Sequence, residues 1–261
     1  MKNLFYALLV MCMLSVGMYP RYETGDIILV GGGPMPPGLI KSIAEMKPYG
    51  KFVLVSSDDK IGKKWKDLLA LGQRVSIMQP EDLIESKLNG ISGIFIDGGN
   101  QSDYLSRFSP KVLQTAHESG ILLFGTSAGA MILGEFYFSA EYGGITSEEA
   151  QANPDEQRIC IGSDFLKIKA LRNTLVDSHY SEREREGRLH VFLDKGRDKG
   201  LSKGIGIDES TALCIHRNQV DVIGEGGVHF ITKSTQGSSR ISCYQGDTSS
   251  YSRVSEYLGR N

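Results

Sequence analysis

The chain has 261 residues, 40% hydrophobic and 23% charged, a composition that suits one large α/β domain or two small ones. Its 29 Lys and Arg stand against 31 Asp and Glu, and a net charge of −2 gives no reason to expect nucleic acid or an anionic membrane surface as partner. The four cysteines, Cys12, Cys160, Cys214 and Cys243, form no CxxC pair, so neither a zinc knuckle nor a thioredoxin-type site is indicated.

Lys2, the apolar run from Leu4 to Leu14 and the small-x-small step Ser15-Val16-Gly17 predict a secretory signal peptide over residues 1–17. The run is too short to span a bilayer comfortably. A lipoprotein anchor at Cys12 is disfavoured by the bulky Met11 before it, and a buried N-terminal strand or helix is the plainer alternative. Residues 18–261 would then be the mature α/β domain. Asp26 to Val30 reads as a first strand, and Gly31-Gly32-Gly33 as a strand-end turn. The triplet lacks the spacing of a dinucleotide fingerprint or a Walker loop, and Pro34, Pro36 and Pro37 obstruct an immediate helix. Leu39 to Met46 reads as a helix.

Strands are expected at Lys51–Val55, Arg74–Met78, Gly93–Asp97 and Ile121–Phe124, with helices at 60–71 (carrying Trp65 as packing), 81–88 and 104–119 between them. That alternation implies a parallel sheet with helices on both faces and a site beyond the carboxyl ends of the strands. Tyr137 to Asp164 is a polar excursion, a loop or small hairpin near the site or a plain surface loop. A strand ends at Asp177-Ser178-His179-Tyr180, and the Glu/Arg alternation from Ser181 starts a helix. Gly204 to Ile215 reads as strand, turn and strand around Asp208-Glu209. Residues 218–231 continue as β-structure, and 234–261 read as polar and irregular.

The chemistry centres on Gly125-Thr126-Ser127-Ala128-Gly129. A strand precedes it and a helix follows it, which is the context of a nucleophile elbow. The Ala128 amide, at the start of that helix, can face an oxyanion. Gly98-Gly99-Asn100-Gln101, after another strand, can supply a second donor through Gly99. A serine needs a base. Of His117, His179, His190, His216 and His229, only His179 ends an apolar strand at the site edge. The base needs an acid to fix its tautomer, and Glu209 is preferred over Asp208, with Asp177 either on the substrate side or one layer behind it. The order Ser, His, acid sets the chain apart from ordinary α/β-hydrolases. Arg183, Arg185 and Arg188 could hold an acidic substrate group, or pair with Glu182, Glu184 and Glu186 on a solvated helix start.

These blocks together resemble the cyanophycinase branch of the S51 serine peptidases, which also include aspartyl dipeptidases. The resemblance implies a flavodoxin-like three-layer sandwich with a mostly parallel sheet, similar to class I glutamine amidotransferases. It implies Ser127 as nucleophile, His179 as base and Glu209 as third member. It places Gln101, Asp177, Ser178, Arg183, Arg185 and Arg188 along the substrate site. It further implies cleavage of β-Asp-Arg bonds, no metal or organic cofactor, and a homodimer as an unsurprising assembly. Four positions depart from the family pattern: Ser178 and Tyr180 in the block that commonly reads Asp-Gln-His-Phe, Asn100 for a common aspartate, and Met131 for a small residue. An aspartyl dipeptidase, a small-amide hydrolase of amidotransferase type and a non-catalytic binding protein remain the alternatives.

Overall fold

The computed structural model describes residues 25–46, 50–57, 74–216 and 219–247, together with 254, 257 and 258. The expected leader with Cys12 and the expected helix at 60–71 with Trp65 lie outside the described residues. Among the described residues no helix is long and apolar enough to cross a membrane.

The central sheet is built from β1 (Ile27–Val30), β2 (Lys51–Val55), β3 (Arg74–Met78), β4 (Ile91–Ile96) and β5 (Leu122–Thr126), all parallel. Two antiparallel strands, β10 (Thr211–His216) and β11 (Gln219–Gly224), extend it beyond β1, giving the order β11-β10-β1-β5-β4-β2-β3. Side chains alternate across the pleat. Ile28, Val30, Phe52, Leu54, Phe95 and Phe124 point to one face and bury Leu39, Ile40 and Ile43 of α1 (Leu39–Met46). Leu29, Val53, Val55, Ile94, Ile96 and Leu123 point to the other face, onto α2 (Gln101–Arg107) and α3 (Pro110–Glu118). The single helix expected over 104–119 is two helices, because Pro110 cannot donate to a preceding turn and instead starts α3. The helix expected over 81–88 is a pair of 3₁₀ turns, Pro80–Asp82 and Glu85–Lys87.

A second sheet was not anticipated. Its order is β13-β12-β9-β8-β6-β7, from β6 (Phe136–Phe138), β7 (Ile161–Ser163), β8 (Thr174–Asp177), β9 (Lys203–Ile207), β12 (Gly227–Ser234) and β13 (Gly237–Tyr244). Val176, Ile205, Ile207 and Phe230 on one face share a core with Leu29 and Ile96. Leu175 and Ile231 on the other face bury Leu189, Phe192 and Leu193 of α6 (Glu186–Gly196). The excursion supplies β6, β7 and the short α5 (Ser147–Ala152). The tail expected to be irregular supplies the whole of β13, paired along its length with β12. The strands β9 and β10 flank the Asp208-Glu209 turn as expected, but they enter different sheets rather than closing a hairpin.

Gly31, just past β1, lies against the end of β9 in the second sheet. A Cβ there would sit 2.0 Å from Asp208 O and 2.5 Å from Ile207 O. Both contacts are backbone, so neither neighbour can swing away. Gly31→Ala is expected to lower unfolding free energy by about 3 kcal/mol in denaturant titrations. Gly144→Ala, where a Cβ would meet nothing within 4 Å, should stay within about 0.5 kcal/mol of the parent.

Candidate active site

Three successive carbonyls at the end of β1 gather the site. Val30 O accepts from Ser127 N at 3.0 Å, Gly31 O from His179 N at 2.7 Å, and Gly32 O from Ser210 N at 3.0 Å. The elbow, the loop after β8 and the turn after β9 are thus bonded to neighbouring peptide groups of one strand end. These three segments are separated by about fifty and thirty residues of chain, and only the sheet topology brings them together.

At the elbow, Ser127 has φ 53° and ψ −119°. A non-glycine residue in this region stores strain of order 1–3 kcal/mol, which surrounding packing must hold. The holding contacts are close. A Cβ on Gly125 would sit 2.3 Å from Gly129 O, and one on Gly129 would sit 2.3 Å from Ile96 O and 2.7 Å from Asp97 O. The end of β4 therefore lies against the first turn of α4 (Ala128–Met131), which begins directly after the serine. Ala128 is the first residue of α4, and its amide has no acceptor within the helix. Gly98 and Gly99 follow β4 on the same edge.

Ser127 Oγ lies 2.8 Å from His179 Nε2, and His179 Nδ1 is hydrogen-bonded to Glu209 Oε1. A carboxylate on Nδ1 places the proton of a neutral imidazole there and leaves Nε2 as an acceptor for the serine hydroxyl. Burial pushes the His179 imidazole below its usual value of 6.5. The Glu209 bond opposes this shift, while Arg183 and Arg185 add to it. The glycine turn after β1, read from sequence as a strand end only, cradles both partners. A Cβ on Gly32 would come within 2.3 Å of the His179 ring, and one on Gly33 within 2.7 Å of Glu209 Oε2. Glu182 also bears on the acid, its Oε2 accepting from Glu209 N at 3.0 Å.

Asp208, the alternative acid, is turned away from His179. Its carboxylate accepts from Ser181 N at 3.0 Å, Gly227 N at 2.8 Å and His229 Nε2 at 3.2 Å. Burial pushes this carboxyl up, but the His229, Ser181 and Gly227 donors outweigh it and bring it to about 2. Asp208 thus ties the loop after His179 to the turn that carries Glu209. The other histidines are elsewhere: His216 pairs with Asp26 at 2.6 Å, at the far end of β1, and His229 stacks on Tyr180 at 5.1 Å. The Tyr180 hydroxyl has no hydrogen-bond partner among the described residues.

The arginines divide. Arg188 is 3% exposed and grips the fully buried Asp177 through Nε at 2.8 Å and Nη2 at 2.5 Å. Its Nη1 donates to Ile145 O at 3.0 Å, and the guanidinium stacks 5.5 Å over both Phe138 and Phe192. Asp177 also accepts from Ser178 N and from Arg185 Nη1. Burial raises the Asp177 carboxyl and the two arginines more than reverse this, so it stays ionised. The family resemblance set Asp177 and Arg188 along the substrate site, but they are bonded to each other behind the loop, which is the second of the two places that the sequence left open for Asp177. Ser178 is buried beside them, with its carbonyl bonded to Arg185 Nη1 at 2.8 Å. Arg183 is exposed and makes no ion pair among the described residues. Nor do the neighbouring acids neutralise the arginines, for Glu182 serves Glu209 N and Glu186 pairs with Arg240. Burial lowers the Arg185 guanidinium to about 10 against the pull of Asp177, and it remains a cation at neutral pH. Gln101 is buried, its Nε2 lying 3.2 Å from Met131 Sδ.

The family model of peptidase family S51 matches residues 55–223. The chain belongs to peptidase family S51. The matched block holds Ser127, His179 and Glu209 but begins after the Gly31–Gly33 turn on which they converge. Cyanophycinases from Synechococcus elongatus and Thermosynechococcus vestitus are each 33% identical to it over 177 residues, 66% of this chain and 50% of theirs. The chain spans about half the length of these curated relatives. A solved peptidase from an acI-B1 Actinobacterium shares the fold of this S51 chain, with a TM-score of 0.61 at 19% identity over 87% of this chain and 97% of that one.

Asp177 and Arg188 give a direct test of their buried role. Asp177→Ala should lower unfolding free energy by about 3–5 kcal/mol, because it strands a buried guanidinium. Adding Arg188→Met should restore a measurable part of that loss in the same denaturant titration.

Proposed function

We propose that this S51 protein is a serine peptidase that cleaves peptide bonds next to acidic or β-aspartyl residues, in the manner of β-Asp-Arg cleavage by a cyanophycinase. The observation that carries the reading is the Ser127–His179–Glu209 hydrogen-bond chain at a strained elbow. In the proposed reaction Ser127 Oγ attacks the carbonyl carbon while its proton passes to His179 Nε2. The carbonyl electron pair moves to oxygen, where the Ala128 and Gly99 amides hold the charge. Glu209 stabilises the imidazolium. The C–N bond then breaks, and the leaving amine takes the proton from His179. Water, deprotonated by His179, attacks the resulting ester, releasing the carboxylic acid and restoring Ser127.

The substrate class rests on the arginines that remain available. Arg183 is exposed, close enough to His179 to act on its charge, and Arg185 stands behind it. A carboxylate on the substrate would find its counter-ion there. The likeness to two cyanophycinases favours the β-aspartyl linkage, and a dipeptidase acting on shorter substrates is the competing case. The strands β3-β2-β4-β5 follow the start of the flavodoxin order, and we take the core to be flavodoxin-like on that basis. The leader-like residues 1–17 support export, with 18–261 as the working chain.

Two assays test the proposal. Residues 18–261 are expected to hydrolyse β-Asp-Arg polymer, and Ser127→Ala should lose at least about 10⁴-fold in rate. Cleavage of β-Asp-Arg or α-Asp dipeptides without the polymer would replace the polymer reading with a dipeptidase. Equal turnover by the two proteins would reject the serine mechanism. The pH profile is the second assay. Protonated His179 cannot accept the Ser127 proton, so kcat/KM should rise with pH through an acid limb whose midpoint lies below 6.5. A midpoint above 6.5 would contradict the burial of the base.

A further inference from the structure

One hydroxyl is placed to aim the second oxyanion donor. Tyr104 lies on α2 and is fully buried, its ring stacked on Phe108 with centroids 5.8 Å apart. Its hydroxyl donates to Gly98 O at 3.2 Å and accepts from Ser57 N at 3.4 Å. The hydroxyl therefore joins the end of β2 to the loop after β4.

The bond fixes a direction as well as a place. Among the described residues no peptide bond is cis, so the Gly98–Gly99 unit is trans. In a planar trans peptide the carbonyl and the following N–H point opposite ways. Holding Gly98 O toward Tyr104 turns the Gly99 N–H away from α2. The preceding peptide is occupied, since Gly98 N donates to Asp97 Oδ1 at 2.7 Å. Asn100 pins the other side, its Oδ1 accepting from Ser102 N at 3.1 Å as the cap of α2. Gly99 itself has φ 154°, and a Cβ there would come within 2.9 Å of Ser57 Oγ. The Ser57 hydroxyl could swing aside, but at this φ a residue other than glycine would be strained. The loop stands next to the elbow, because Asp97 O and Ile96 O are the atoms that a Cβ on Gly129 would strike.

We propose that Tyr104 is a positioning residue that acts through the Gly98 carbonyl to aim the Gly99 amide at the oxyanion. This rests on the serine-nucleophile reading above. Burial also pushes the phenol up to about 12, with Asp97 adding to the shift, so the hydroxyl stays a donor throughout the working range.

The test uses p-nitrophenyl acetate, whose acylation of a serine passes through an oxyanion. The acylation burst of the parent protein, of Ser127→Ala and of Tyr104→Phe would be followed across pH. Tyr104→Phe keeps the ring on Phe108 and removes only the donor. Its burst rate should fall by about 10- to 100-fold, short of the loss expected when a donor is deleted outright. KM should change by less than about 2-fold, because the donor acts on the transition state. The acid-limb midpoint should not move, since His179 is untouched. A 4-aminophenylalanine at position 104, which restores a donor, should recover most of the rate. An unchanged burst in Tyr104→Phe would overturn the role of Tyr104, as would a shifted acid limb or a slowing that the amine leaves in place. A burst equal in the parent and Ser127→Ala would overturn the nucleophile reading instead. Nuclear magnetic resonance of the unmutated protein gives a check that needs no variant. The Gly99 amide proton should move downfield when Ser127 is phosphonylated, and an unmoved resonance would overturn the proposal.

Discussion

The run of three carbonyls at Val30, Gly31 and Gly32 is the constraint on which the site depends. Ser127, His179 and Ser210 each donate a backbone N–H to one of them. Backbone bonds of this kind set positions to a fraction of an ångström without relying on side-chain rotamers. They require the turn to have no side chains, because the space a Cβ would need is filled by Asp208 O, the His179 ring and Glu209. The glycine triplet is thus an anvil for the three chemical groups. It also explains why two sheets are needed. The central sheet presents Ser127, and the second sheet presents His179 from β8 and Glu209 from β9.

Strain and buried charge are held by the same packing. Ser127, His179 and Ser210 have φ of 53°, 46° and 51°. Each would relax if its segment were free, and each is pinned at β1. Behind the base, Asp177 and Arg188 form a fully dehydrated pair roofed by Phe138 and Phe192. Such a pair contributes little net stability, but leaving one partner alone is severe. It locks the start of α6 to the end of β8, so the loop that carries His179 has two fixed ends. Asp208 does the same for the turn that carries Glu209. Arg183, five residues before Arg188, is instead left in solvent.

Much of this was legible in the sequence, for identifiable reasons. The elbow was readable because Gly125, Ser127 and Gly129 fall between an apolar strand and a helix. His179 was readable because it alone ends an apolar strand at the site edge. The second sheet was not, because β6, β8, β9 and β12 are scattered along the chain, and no local pattern says that β9 joins a different sheet from β10. Gly31–Gly33 looked like any strand end, since its function lies in what is absent from it. The Glu/Arg alternation left the three arginines alike, as holders of a substrate acid or as a solvated helix start, whereas a short stretch of chain buries Arg188 and exposes Arg183. No local pattern distinguishes the two, and the difference comes from the ionised carboxyl of Asp177 on the neighbouring strand.

The most direct measurement is to treat the protein with a fluorophosphonate and locate the adduct by peptide mass spectrometry. The convergence of the three segments at β1 predicts one adduct, on Ser127, which disappears when His179 is replaced by alanine. No adduct, or an adduct on another serine, would contradict it.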